Sequence, residues 1–171
     1  AYYFDGIGRS TAVAQYGNQG NDSTGFSRSG TIPTPSDTTL VSKTSYLPSG
    51  EVKHQIDPKN QISRSTYDNA GRVTSVIQNA DSSPTQQVDT TYTADGQVAK
   101  LIAINATTGN QETEYTYGVS LSDSEIASND LLQQVEYPDN GVVTYEYNRQ
   151  GQRIEMTDQN GSVHVYEYDK L

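Results

Sequence analysis

Along this chain, apolar and aromatic residues alternate with polar ones in short runs, broken by clusters of Asp, Asn, Gly and Pro. Side chains two apart on a strand share a face. His164, Tyr166 and Tyr168 therefore line one side of a run, and Val163 and Val165 the other. Val143, Tyr145 and Tyr147 repeat the tyrosine-rich side 21 residues earlier. Period-two runs of about six residues between turn formers read as β-strands. The pattern predicts a two-sided sheet, one side rich in tyrosine and the other mixed. No segment carries a helical stripe; residues 121–132 are the one candidate for a short helix.

The stretches between the runs recur. Tyr67-Asp68-Asn69-Ala70-Gly71-Arg72 reads as a strand end, a tight turn and the next strand's start. The Asp and Asn side chains can bond nearby amides, and Gly71 is expected at positive φ, where it has no steric cost. Phe4-Asp5-Gly6-Ile7-Gly8-Arg9 repeats it with Phe for Tyr. An aromatic followed four residues later by Gly returns at Tyr46/Gly50, Tyr92/Gly96 and Tyr147/Gly151, while Tyr117 and Tyr168 hold the aromatic slot alone. From Phe4 to Tyr168 the anchors step by 42, 21, 25, 25, 30 and 21 residues, a base period of 21 with insertions. This is an internal repeat.

The two 21-residue units are the plainest. Asp57 lies seven residues after Gly50 and Asp158 seven after Gly151, each opening a second turn before the next tyrosine. Each unit is then strand, turn, strand, turn. Gly161 closes the turn after Asp158, and Gly141 ends Pro138-Asp139-Asn140-Gly141 in the unit before. The expected fold is all-β: tandem hairpins stacked into a long antiparallel sheet of about twelve strands. Residues 1–171 read as a single repeat array with units starting near 4, 46, 67, 92, 117, 147 and 168. The chain opens and stops in mid-pattern, as a piece of a longer array would. Residues 17–37, loaded with Gly, Ser, Thr, Asn and Pro, are expected to form a long mobile loop.

Composition tests this reading. Only 32% of residues are hydrophobic, Leu, Ile, Val and Phe make 31 of 171, and the net charge is −10. Those values fall in the range of disordered chains. The 13 tyrosines, kept in register, supply the apolar surface that such a count omits. Acidic charge is dispersed and no basic run exists, which disfavours nucleic acid. With no cysteine there is no disulfide framework or thiolate metal site, and no stretch approaches a membrane span.

The Tyr-Asp-x-x-Gly-Arg turn on a 21-residue period resembles the YD-repeat, or Rhs-repeat, family. Tyr67 to Arg72 matches that motif in full; Phe4 to Arg9 matches with the aromatic swap, and the copies at Tyr147 and Tyr92 are looser. The resemblance implies hairpins stacked into a long sheet that spirals into a hollow shell, similar to those of bacterial Rhs toxins, insecticidal toxin complexes and teneurins. It implies partners in the neighbouring repeats and in an enclosed C-terminal segment of the parent, commonly toxic. It also implies a parent that is a secreted or cell-surface bacterial protein. Neither a toxic segment nor the family's self-cleaving region is present in these residues.

Candidate chemistry is sparse. His54 and His164 lie on strands with no second histidine at ligand spacing. Asp57, Asp68 and Asp158 are explained by their turns, and Arg9 and Arg72 are expected to pair with acidic or tyrosine partners in adjoining repeats. No phosphate loop, nucleophile elbow or dinucleotide fingerprint occurs, so no catalytic, cofactor or metal residue is expected. The leading reading is a structural wall segment. The alternative is an adhesion or glycan-binding module with exposed tyrosines as stacking platforms; a hydrolase lacks any constellation. The end strands are expected to leave unpaired edges, open to self-association.

Overall fold

The computed structural model describes residues 1–17 and 30–169. Among them are thirteen strands and no helix: β1 (Tyr2–Phe4), β2 (Ser10–Tyr16), β3 (Thr39–Tyr46), β4 (Val52–Ile56), β5 (Ile62–Tyr67), β6 (Val73–Gln78), β7 (Gln86–Tyr92), β8 (Val98–Ile104), β9 (Gln111–Val119), β10 (Ser128–Glu136), β11 (Val142–Tyr147), β12 (Arg153–Thr157) and β13 (Val163–Val165). They form one antiparallel sheet in which strand order follows chain order. Residue contacts divide the chain into two compact units, Ala1–Gln87 and Val88–Leu171.

In the first unit, β2 and β3 pair from Ala12 opposite Lys43 to Tyr16 opposite Thr39. The Gly17 N–H then donates to the Thr38 carbonyl at 2.8 Å, closing the hairpin across whatever chain lies between. The insertion expected at residues 17–37 thus displaces no strand; its residues 18–29 lie outside those described. The unit's core is small: Tyr3, Ala12, Ala14 and Val41, with Ala1 and Tyr16 partly buried against it. Alternation explains the set, since Val41 faces Ala14 and Tyr3 faces Ala12 across the ladder.

In the second unit the buried side chains are Val119, Val135, Val143 and Tyr147. Register puts Tyr115 opposite Val135 and Val135 opposite Val143, so these share a face with Tyr145 and Tyr147. The sheet's other side is not simply mixed. Lys100 stands opposite Glu114, Glu114 opposite Glu136, and Glu146 opposite Glu155. Lys100 bridges Glu112 at 2.9 Å and Glu114 at 3.1 Å. Like charges set directly opposite are unfavourable in a sheet. Accordingly burial first, then Glu155 and Asp123, push the Glu146 carboxyl above its usual range.

The short helix considered for residues 121–132 does not form. Ser120 and Ser122 instead hydrogen-bond each other and the Asp123 carboxylate, which offers the backbone a turn in place of a helix. The following strand begins at Ser128, whereas the sequence pattern places its start at Leu131, and it pairs with β9 through two register shifts.

Candidate functional site

The repeated element is a turn of five residues with two backbone bonds. The first residue's N–H donates to the fifth residue's carbonyl at 2.8–3.0 Å. The fourth residue's N–H donates to the first residue's carbonyl at 2.9–3.1 Å. Eight turns share this pair, opening at Asp5, Leu47, Asp57, Asp68, Thr93, Tyr137, Asn148 and Asp158. The fourth residue always has positive φ, from 62° at Asn140 to 112° at Gly50. A tight turn followed by one left-handed residue is the three-residue hairpin loop with a bulge, whose twist suits the flanking strands. Gly71 sits at 78°, where it is free of the penalty that a Cβ would bring. Asn60, at 64°, fills the same slot as one of the few side chains that tolerate it.

Two devices hold the first position. Where it is Asp, the carboxylate caps the turn: Asp68 Oδ1 accepts from the N–H groups of Ala70 and Arg72, and Oδ2 from Arg72 Nε at 2.7 Å. Asp5 repeats this with Ile7 and Arg9. Asp57 and Asp158 accept the same two backbone bonds without an arginine. Asn148 does so too, and its amide reaches Gln152 at 2.8 Å. These bonds lower the pKa values of Asp5, Asp68 and Asp158, the Arg9 side chain being the chief cause for Asp5 and backbone N–H donors for the other two. The turns that begin at Leu47 and Tyr137 lack such a cap and place Pro48 and Pro138 second, where proline pre-sets φ.

Arg9 and Arg72 take their acidic partner from their own turn, not from an adjoining repeat. Arg9 additionally stacks on the Tyr46 ring, 4.4 Å from its centroid. In the turn 137–141 the left-handed residue is Asn140, not Gly141. A Cβ at Gly141 would lie 2.9 Å from Asp139 Oδ1 and from Gln159 Cδ, so those two side chains would have to shift to admit one. Tyr117 lies inside β9 with no five-residue turn after it, whereas Tyr92 precedes the turn 93–97 with Gly96 at φ 90°.

The tyrosine preceding a turn closes the open end of its own hairpin. Tyr67 Oη donates to the Val52 carbonyl, Tyr147 to Leu132 and Tyr168 to Arg153, at 2.7–2.8 Å and each 15 residues back. Tyr46 makes the same closure to Ser10 at 2.8 Å, although 36 residues separate them. Ser10, Val52 and Arg153 each begin a strand. Anchor spacing showed where these tyrosines fall; nothing in it showed what the hydroxyls do. In the second unit, residues 120–127 fold back on one closure, the Glu125 N–H donating to the Tyr147 carbonyl at 2.8 Å.

The histidines are tied into the sheet. His54 meets Ser45 Oγ at 3.2 Å and accepts from Arg64 Nε at 3.3 Å, and His164 lies 3.4 Å from Asp158 Oδ2. Among the described residues no group of three or more His, Cys, Asp or Glu is placed to hold a metal ion.

A family model for the RHS repeat matches residues 128–163, the stretch from β10 through three of these turns to the first residue of β13. The turn geometry of that stretch recurs at the turns opening at Asp5, Leu47, Asp57, Asp68 and Thr93, and its tyrosine closure at Tyr46, Tyr67 and Tyr168. Among solved structures, the fold is similar to that in a crystal structure of TcdB2-TccC3-Cdc42, with TM-score 0.61 and 19% identity over 91% of this chain. TcdB2-TccC3 without its hypervariable C-terminal region gives the same values. The Tc holotoxin pore of Photorhabdus luminescens gives 0.59 and 20% over 88%. At that identity the likeness is one of fold, and the chain spans about 7% of the length of each of those chains. A search of curated proteins finds no match.

Proposed function

We propose that residues 1–171 are one repeat array serving as a stretch of wall in an RHS-type shell, which encloses another segment of the same parent protein and performs no catalysis itself. The observation that carries this reading is the uniformity of the site. The same turn occurs four times in each unit, and the same tyrosine closure recurs on four hairpins. An active site needs one asymmetric cluster of groups; these residues are spent on repeating a hairpin. The likeness of fold to TcdB2-TccC3 supports the same reading, one of those structures being described as lacking a hypervariable C-terminal region.

A wall isolates its contents by steric exclusion and requires no high-affinity pocket. The test uses the longer parent, intact or lacking residues 46–168, under limited proteolysis followed by mass spectrometry. The intact protein should protect the segment that follows the repeats, and the deletion should expose it. Equal protection in both would remove the wall reading, and micromolar glycan binding by the purified chain would favour the adhesion alternative.

A further inference from the structure

On the tyrosine face of the second unit, several phenol hydroxyls and one guanidinium remain after the hairpins are closed. Tyr147 and Tyr168 spend their hydroxyls on backbone carbonyls. The hydroxyls of Tyr115, Tyr137, Tyr145 and Tyr166, like that of Tyr117, have no hydrogen-bond partner among the described residues. The four are close together: burial first, and then the neighbouring Tyr137, Tyr166 and Tyr115 phenols, raise the pKa of Tyr145, with Arg153 pulling the other way. Arg153 lies over the Tyr145 ring, 4.9 Å from its centroid, and 5.7 Å from that of Tyr166.

Arg9, Arg64 and Arg72 each reach a carboxylate, whereas Arg149 and Arg153 reach none among the described residues, and of these two Arg153 is the one that lies over aromatic rings. The glutamates nearest on β11 and β12, Glu146 and Glu155, face each other on the opposite side of the sheet. Asp158 is occupied by the N–H groups of its own turn and by His164. Tyr166, 38% exposed, presents flat apolar surface beside the guanidinium, and Tyr137, 36% exposed, does so next to Tyr145.

We propose that Arg153 and the tyrosines around it form a docking surface for an extended peptide that presents a carboxylate. The aromatic rings hold the guanidinium by its faces, which leaves the N–H groups on its edge free for bidentate contact with a carboxylate. The free phenols donate to the ligand's remaining oxygens, and the exposed rings cover side chains on either side of its acid. Tyrosine and arginine are the residue types that dominate interface energetics. A neutral sugar could stack on the rings but would leave the cation without a counter-charge. Charge also selects the face, because an acidic ligand is repelled by the glutamates across the sheet. This surface is independent of the wall reading and goes beyond it, since a wall that only excludes needs no such site.

The test is fluorescence anisotropy on the 171-residue chain. The probes are labelled decapeptides with a central glutamate between varied apolar residues, each matched to a glutamine version. The best glutamate peptides should bind at least about tenfold more tightly than their glutamine partners, since a hydrogen bond to a charged group is worth more than a neutral one. Arg153→Gln should abolish that difference. Tyr166→Phe, which keeps the ring, should weaken binding by about threefold. Glu146→Gln, on the opposite face, should leave discrimination in place. Circular dichroism establishes that each variant is folded. Equal affinity for the two peptide series, discrimination that survives Arg153→Gln, or no binding below about 1 mM would each overturn the proposal. Binding of uronate- or sialate-bearing oligosaccharides in place of the peptides would overturn it as well.

Discussion

A single backbone angle separates two residues that occupy the same place in their turns. Gly71 sits at φ 78° and Asn60 at 64°. Gly71→Val should cost about 1–2 kcal/mol, because a β-branched side chain is strained there, while Asn60→Gly should be close to neutral. Urea titrations of the two variants check this; equal losses would contradict the shared geometry. Acidity acts on the same turns. The folded pKa values of Asp5, Asp68 and Asp158 are lowered from 3.8, so their contribution is complete above that value. It is lost as pH falls through the folded pKa values. Glu146 has the opposite sign: its folded pKa is raised above 4.5, so it opposes folding at neutral pH, and the penalty is relieved on acidification. Thermal melts between pH 7 and 3 should show Glu146→Gln stabilising near neutrality and Asp68→Asn losing part of the acid sensitivity. The turn acids were legible from spacing alone, because Asp at the head of a turn has one local use. Glu146 was not, since a cross-strand neighbour cannot be read without the register.

A hairpin here is closed at both ends, by its turn and by a tyrosine hydroxyl. Tyr67→Phe should destabilise by about 1 kcal/mol, the usual net worth of one hydrogen bond, and should release the β4–β5 hairpin first. Hydrogen exchange near Val52 and Tyr67 would show that; unchanged protection there would deny the closure its role. The strand runs were plain in the period-two pattern, and most turns in their Asp, Asn, Gly and Pro. What the pattern missed was the start of β10 at Ser128. Residues 121–132 are rich in Ser and Asp but hold neither Gly nor Pro to mark a turn, and no apolar stripe for a helix. Their outcome was decided by Ser120, Ser122 and Asp123 bonding one another and by pairing with β9, both non-periodic facts.

Across the molecule, only eight of the described side chains are buried, so cohesion rests on ladders, turns and closures far more than on a core. β1 and β13 stand at the two ends of the strand order, with Tyr2 60% and Val165 69% exposed. Such edges are templates for further pairing. Sedimentation of the 171-residue chain at rising concentration should show self-association, reduced by Val165→Lys; a monomer at every concentration would count against it. The repeat and its all-β fold were visible because the same residue types return on a fixed period. The tyrosine-rich side was visible too, but the facing glutamates of the other side were not, as they arise from the pairing of strands. The β2–β3 hairpin has one more consequence. Its Gly17–Thr38 bond and its Tyr46–Ser10 closure hold although the spacing has grown from 15 to 36 residues. Loop closure becomes only slowly costlier with length, by about 0.6 kcal/mol per doubling. The tip of that hairpin is therefore a splicing port, where foreign sequence such as an epitope or a protease site can enter while every neighbouring strand keeps its register.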